Sequence, residues 1–183
     1  MLLIILGAVG AAIALVLVIA ATRPKTSRLE RGTSIAAPAA IVQALIDDFH
    51  QWAQWSPWEK LDPAMTRTHS GAERGVGAIY AWDGNRKAGA GQMEILEVTD
   101  GRRVAIKLSF VRPFPASNLT EFTLRDAGGT TEVTWVMTGP SPFIARVMGV
   151  FINFDKLVGK DFEAGLAKLK AIAEAAPAQG TAS

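Results

Sequence analysis

The sequence contains no cysteine, and this absence removes several kinds of chemistry at once. A chain without thiols forms no disulfide, no thiolate metal site and no cysteine nucleophile. Histidine is also scarce, since His50 and His69 are the only two in the chain. Their spacing does not match the ligand pattern of a histidine zinc site, so we expect no metal site.

Strong charge of either sign is missing as well. The formal net charge is +2, and no run of lysine and arginine is interleaved with aromatic residues. We therefore expect no nucleic-acid binding. A Gly-x-Ser-x-Gly elbow is absent, and the pair Gly75 and Gly77 lacks the strand-to-helix context of a dinucleotide loop. The sequence thus predicts no cofactor and assigns no catalytic residue.

The longest uncharged run lies at the N-terminus. Residues 1–22 carry no charged side chain and are nearly all apolar. About 20 such residues span the hydrocarbon layer of a bilayer as a helix, so we predict a membrane anchor over residues 1–22. A linker over residues 23–27 follows, and its basic residues favour a single-pass protein with a cytoplasmic domain, an extracytoplasmic one being the alternative. Val18-Ile19-Ala20 also resembles a weak cleavage site, which leaves a signal peptide as another interpretation.

The most periodic stretch lies near the C-terminus. Between residues 143 and 173 apolar side chains recur every three or four positions, which predicts one long amphipathic helix. Gly149 and Gly159 weaken such a helix, so a break near either glycine is the alternative. At ~1.5 Å per residue the helix would be roughly 45 Å long and would need a broad apolar surface to cover it. The composition of residues 175–183 predicts a disordered tail.

The middle of the chain changes from helical to strand-like periodicity. A strand is predicted over residues 27–35, a helix over residues 38–47 and a short helix up to residue 55. About six strands follow from residue 65 onward, and a change of parity between Ile95 and Leu96 predicts a β-bulge. Turn signals at Asp-Gly and Gly-Gly pairs make the sheet antiparallel, with one apolar face for the terminal helix to cover.

Several short motifs have a familiar order. Ile35-Ala36-Ala37-Pro38 leads into a helix, Trp55-Ser56-Pro57-Trp58-Glu59 follows, and Gly75-Val76-Gly77 precedes a strand. With Lys160-Asp161-Phe162 in the terminal helix, residues 28–174 resemble the polyketide cyclase/dehydrase and lipid-transport family of the START-related helix-grip (SRPBCC) superfamily. The resemblance implies an α+β domain over residues 28–174, with an antiparallel sheet wrapped around the C-terminal helix and a cavity between them.

An apolar sheet face beneath an apolar helix, together with this resemblance, predicts a ligand cavity. The candidate lining residues share an apolar side chain on the inward face of a strand or of the terminal helix: Trp82, Met93, Ile95, Ile106, Leu108, Phe110, Phe122, Trp135, Met137, Phe151, Phe154 and Phe162. We predict Trp55, Trp58 and His69 at its mouth. The alternative is that these side chains fill a solid core, and that Trp52 and Trp55 anchor the short helix to the sheet.

Three functions are compatible with these features. The leading prediction is a membrane-anchored domain that binds or transports a hydrophobic small molecule or lipid without catalysis. The second is a cyclase or dehydratase, which would need a polar group such as His69 or Asp62 inside the cavity. The third is an interaction module that binds a protein partner through the tryptophan segment or the outer sheet face.

Overall fold

A computed structural model describes residues 1–176, and it contains five α-helices and seven strands. The helices are α1 (Leu2–Thr22), α2 (Ala39–Ile46), α3 (Trp52–Trp55), α4 (Phe143–Phe151) and α5 (Phe154–Ala175). The strands are β1 (Thr26–Ile35), β2 (Thr66–Gly71), β3 (Ala78–Asp83), β4 (Ala90–Thr99), β5 (Arg103–Arg112), β6 (Ala116–Asp126) and β7 (Thr131–Pro140). Short 3-10 turns at Phe49–Gln51 and Pro57–Lys60 flank α3.

The seven strands form one antiparallel sheet in the order β1-β7-β6-β5-β4-β3-β2. Five consecutive hairpins build β2 to β7, and β1 closes the other edge by pairing with β7 from Thr26↔Pro140 to Ile35↔Thr131. The register between β4 and β5 shifts between Ile95 and Glu97, which confirms the predicted bulge.

The inward face of this sheet and the long helix α5 form the core. Phe162, Leu166 and Leu169 of α5 are buried against the sheet, and α2 covers the end of the sheet where β1 finishes. These side chains recur on one face of α5, as the helical period predicts. The α+β helix-grip architecture is therefore confirmed.

The terminal helical stretch differs from the prediction, because it is two helices and not one. It breaks at Ile152 and Asn153, three residues after Gly149, which fits the alternative of a break near that glycine, and it does not break at Gly159. The Asn153 side chain accepts a hydrogen bond from the Lys156 backbone N–H at 2.9 Å, so it caps the first turn of α5. Gly159 stays helical and allows the Arg31 guanidinium to lie over it, where Arg31 pairs with Asp155 and Glu163.

Helix α1 is long and apolar enough to cross a membrane, and it contacts the rest of the chain only near its end. Ala20 is its one buried residue, and α4 packs beside it. The predicted tail lies almost wholly outside the described residues, since α5 continues to Ala175 and the description ends at residue 176.

Candidate functional site

The space between the sheet and α5 is filled at one end and open at the other. At the end covered by α2, buried aliphatic side chains of β4, β5, β6 and β7 form one core cluster with α2 and α5. Toward the opposite end lies a cavity of about 550 Å³. A volume of this size falls within the range of small-molecule sites.

Seven of the predicted lining residues surround this cavity. Four strands and α5 contribute them, and the segment 52–61 closes the side that the sheet leaves open. The seven are Trp82, Met93, Leu108, Phe110, Trp135, Met137 and Phe162. Trp135 stacks on Phe162 with ring centroids 4.0 Å apart, and this pair forms an aromatic wall.

Three of the predicted lining residues lie in the solid core instead. Ile95, Ile106 and Phe122 face the same side of the sheet as the lining residues, but they are almost fully buried. Phe122 stacks behind Trp135 at 4.8 Å, so the indole separates it from the cavity. The inward parity of these residues is as predicted, and their position along the strands places them in the packed end.

Phe151 and Phe154 lie outside the cavity, contrary to the predicted lining. Both are at the break between α4 and α5, where Phe151 exposes 74 % of its surface. A single straight helix would have carried both rings across the sheet, but the break turns α4 toward α1. Their apolar faces are therefore left at the surface.

The predicted mouth residues separate into three different environments. Trp58 lines the cavity and meets Trp135 edge to face at 5.7 Å. Trp55 is fully buried, and its indole N–H donates to the Leu45 carbonyl at 2.9 Å, so it anchors α3 as the alternative interpretation held. His69 lies on the outer strand β2, where its ring stacks on His50 at 4.2 Å and does not reach the cavity.

Two hydrogen-bonded polar side chains, Tyr80 and Glu59, line the cavity, and the sequence did not predict them there. The Tyr80 hydroxyl donates to Glu59 Oε1 at 2.5 Å, and Arg67 Nε donates to Glu59 Oε2 at 2.7 Å. Burial and the bond to Glu59 raise the pKa of Tyr80, and the same carboxylate raises the pKa of Arg67. Both Glu59 oxygens are therefore occupied, and the phenol stays protonated. Tyr80 shares the strand face of Trp82, two residues on, which was the available signal.

Other charged side chains lie at the rim and not in the interior. Lys87, Arg112 and Asp161 contribute to the lining, and Arg112 pairs with Asp83. Asp62 is buried, but its two oxygens accept the backbone N–H groups of Ala64 and Asn85 at 3.0 and 2.8 Å. Among residues 1–176, no three histidine or acidic side chains converge to hold a metal. The cavity is thus an apolar chamber with a charged rim.

Most of this chain matches the model of a known protein family. A family model described as polyketide cyclase/dehydrase and lipid transport matches residues 26–174. No curated protein matches the chain in sequence.

Solved structures share the same fold at low sequence identity. A Chromobacterium violaceum protein is 20 % identical with a TM-score of 0.57, over 83 % of this chain and 99 % of that one. The Aha1 dimer from Colwellia psychrerythraea is 14 % identical with a TM-score of 0.58, over 82 % and 98 %. The ginseng major latex-like protein 151 from Panax ginseng is 14 % identical with a TM-score of 0.58, over 82 % and 99 %.

Proposed function

Because the chain belongs to the polyketide cyclase/dehydrase and lipid-transport family, we propose that it binds a hydrophobic small molecule or lipid between the sheet and α5. The observation that carries this proposal is the cavity of about 550 Å³ with its mostly apolar lining. Such a chamber favours a ligand that is largely apolar, because burying apolar surface releases about 25 cal/mol per Å². The charged side chains at the rim suit a ligand whose polar group stays near the opening of the cavity.

The size of the cavity sets an expected affinity. A ligand of about 20 heavy atoms that gains about 0.3 kcal/mol per atom binds with about −6 kcal/mol. That free energy corresponds to a dissociation constant of some tens of micromolar. Retention at such concentrations is measurable by native mass spectrometry and by displacement of a fluorescent apolar probe.

A cavity-filling variant tests the proposal. Leu108→Trp adds an indole to the cavity wall, and Lys107→Trp adds the same indole to the exposed outer face one residue away. We expect the purified protein to retain a lipid-like molecule from membrane extracts, with at least about tenfold weaker binding in Leu108→Trp, equivalent to about 1.4 kcal/mol. Lys107→Trp should bind normally. Absence of any retained molecule, or equal binding by all three proteins, would contradict the proposal.

We further propose that α1 anchors this domain in a membrane. Its 21 residues carry no charge, and all are exposed except the partly buried Val16 and the buried Ala20, so α4 covers only the end of the helix. At ~1.5 Å per residue the helix is about 31 Å long, close to the ~30 Å hydrocarbon thickness. Extraction of the full chain with carbonate should leave it in the membrane pellet, and release into the supernatant would argue for a cleaved leader.

Catalysis is the second candidate, and the pair of Glu59 and Tyr80 at the cavity wall is the observation that favours it. Proton transfer needs a group that is free to exchange, and Arg67 holds Glu59 by its second oxygen. This geometry suits a fixed hydrogen-bond donor or a brace better than a general base. A cyclisation or dehydration that is lost in Tyr80→Phe, while apolar-probe binding is kept, would favour the enzyme.

A further inference from the structure

Seven of the twelve large exposed apolar side chains in the described part of the domain lie between residues 143 and 157. Five of them form what we call the α4 surface, on α4, in the break after it and in the first turn of α5: Ile144, Met148, Phe151, Ile152 and Leu157. Ile144 exposes 66 % and Phe151 74 % of their surfaces. An apolar surface of this kind on a short amphipathic helix needs a partner or a membrane to cover it.

The α4 surface lies beside the end of α1. Arg146 of α4 directs Nη1 at the carbonyl oxygens of Ala20, Ala21 and Arg23, at 3.2, 3.3 and 3.3 Å. Ala20 and Ala21 belong to the last turn of α1 and Arg23 is the residue after its end, and a guanidinium caps such carbonyls well. A spanning helix leaves the hydrocarbon at its last turn, so the proposed anchoring would put α4 at the depth of the lipid headgroups.

The connection between α1 and the sheet is short. Only residues 23–25 separate α1 from β1, and three residues reach at most about 10 Å. The pairs Thr26↔Pro140, Phe110↔Ala116 and Ala90↔Arg112 place the start of β1, the end of β7 and two hairpin loops at the same end of the strands. We call this end of the sheet, where the strands meet α1, the anchor edge.

The cavity reaches the anchor edge. Its lining includes Lys87 of the β3–β4 loop, Arg112 and Pro113 at the β5–β6 loop, and Val158 in the first turns of α5. Phe114, next to Pro113, exposes 78 % of its surface. The rim of the cavity, this phenylalanine and the α4 surface therefore lie at the end of the sheet where α1 is attached.

We infer that the α4 surface and Phe114 lie in the headgroup region of the bilayer that α1 spans, with the cavity opening toward that bilayer. Arg23, Lys25 and Lys87 at the anchor edge suit anionic headgroups. The ligand is then an amphiphile dissolved in this membrane, which enters from the bilayer without crossing water. The inference rests on the proposed anchoring by α1, and it extends the proposed ligand binding by naming the source of the ligand.

Single cysteines can test this placement cleanly, because the natural chain has none. A nitroxide label is attached to one cysteine at a time, in Ile144→Cys, Phe151→Cys or Phe114→Cys. These positions are exposed, so we expect the fold to tolerate the label. Val76→Cys is the matched control, an apolar residue 58 % exposed on the β2–β3 loop at the opposite edge. Ile13→Cys in the middle of α1 reports the anchor itself. The full chain is reconstituted in vesicles of phosphatidylcholine and phosphatidylglycerol, and collision with oxygen and with a water-soluble nickel chelate is measured.

We expect the oxygen-to-nickel collision ratio at residues 144, 151 and 114 to be several-fold higher than at residue 76, and highest at residue 13. Equal ratios at 76 and the three test sites, with residue 13 in hydrocarbon, would overturn the inference and leave the proposed ligand binding intact. An aqueous residue 13 would overturn the anchor and the inference together. Immersion of 144 and 151 with an aqueous 114 would overturn the statement that the cavity faces the bilayer.

Discussion

At the scale of single residues, Glu59 is a nearly buried charge beside the cavity. Its side chain is 9 % exposed and it depends on Arg67, whose side chain is 29 % exposed, for a counter-charge. Arg67 also donates to the Met65 carbonyl at 2.8 Å and the Glu59 carbonyl at 2.9 Å. This pair therefore fixes the segment that closes the cavity to the outer strand β2.

Arg67→Ala should destabilise the protein, because it leaves a buried carboxylate without its counter-charge. We expect a loss of about 1–3 kcal/mol in the free energy of unfolding, the partial exposure of Arg67 keeping the value below that of a fully buried pair. Arg28→Ala, which removes an exposed pair with Glu30, should change it by less than about 0.5 kcal/mol. Urea denaturation measures both, and equal values would contradict the role of Glu59.

The stacked histidines predict a dependence of stability on pH. Burial and the neighbouring His50 lower the pKa of His69 below its usual 6.5. The unfolded chain therefore binds more protons than the folded chain below pH 6.5, so stability present above this pH is lost as the pH falls through the lowered pKa.

Thermal unfolding at about pH 7.5 and about pH 5.5 measures this loss, since the interval brackets the usual pKa of histidine. His69→Phe keeps a ring against His50 without a titrating group, and its melting temperature should fall less over the same interval. An identical decrease in the two proteins would show that His69 does not account for it.

At the scale of secondary structure elements, the break between α4 and α5 decides which apolar side chains pack on the sheet and which are left at the surface. Asn153 caps α5 at the point where the chain turns. Asn153→Ala should cost about 1 kcal/mol in the free energy of unfolding, and Asn153→Asp should restore it because aspartate caps equally well. Chemical denaturation measures both variants. Equal stability of Asn153→Ala and the natural protein would show that packing alone sets the break.

The elements also show how far the sequence could be interpreted. Alternation along β5 correctly placed Val104, Ile106, Leu108 and Phe110 on one face. It could not separate Ile106, in the core, from Leu108, in the cavity wall, because that difference depends on the distance from sheet to helix. The helical period of residues 143–173 continues across Asn153, so periodicity alone could not place the break, whereas the cap residue could.

Polar residues in the site were harder to predict for a different reason. The signals in the sequence are weak here, since Glu59 offers only its residue type and Tyr80 only its place on the same strand face as Trp82. Their bond joins residues 21 apart along the chain, so no local pattern encodes it. His69 and Asp62 had the right chemistry, but the fold directs His69 to His50 and Asp62 to backbone amides.

At the scale of the whole molecule, the side of the membrane that holds the domain is a prediction from charge. Arg23, Lys25, Arg28 and Arg31 follow α1 within ten residues of its end, which favours a cytoplasmic domain. Val76→Cys should therefore resist a membrane-impermeant maleimide in intact cells and react after permeabilisation. Leu2→Cys at the other end of α1 gives the opposite expectation, and labelling of residue 76 in intact cells would reverse the assignment.

The short linker of residues 23–25 also limits how far the domain can move from α1. With α1 in a membrane as proposed, a tether of about 10 Å would hold the sheet at the lipid surface, so the domain would diffuse in two dimensions and not three. A bound ligand would then move only as fast as the protein diffuses laterally. Delivery to another compartment would require a second body, either a soluble acceptor that collects the ligand from the anchored domain or an opposing membrane brought into contact.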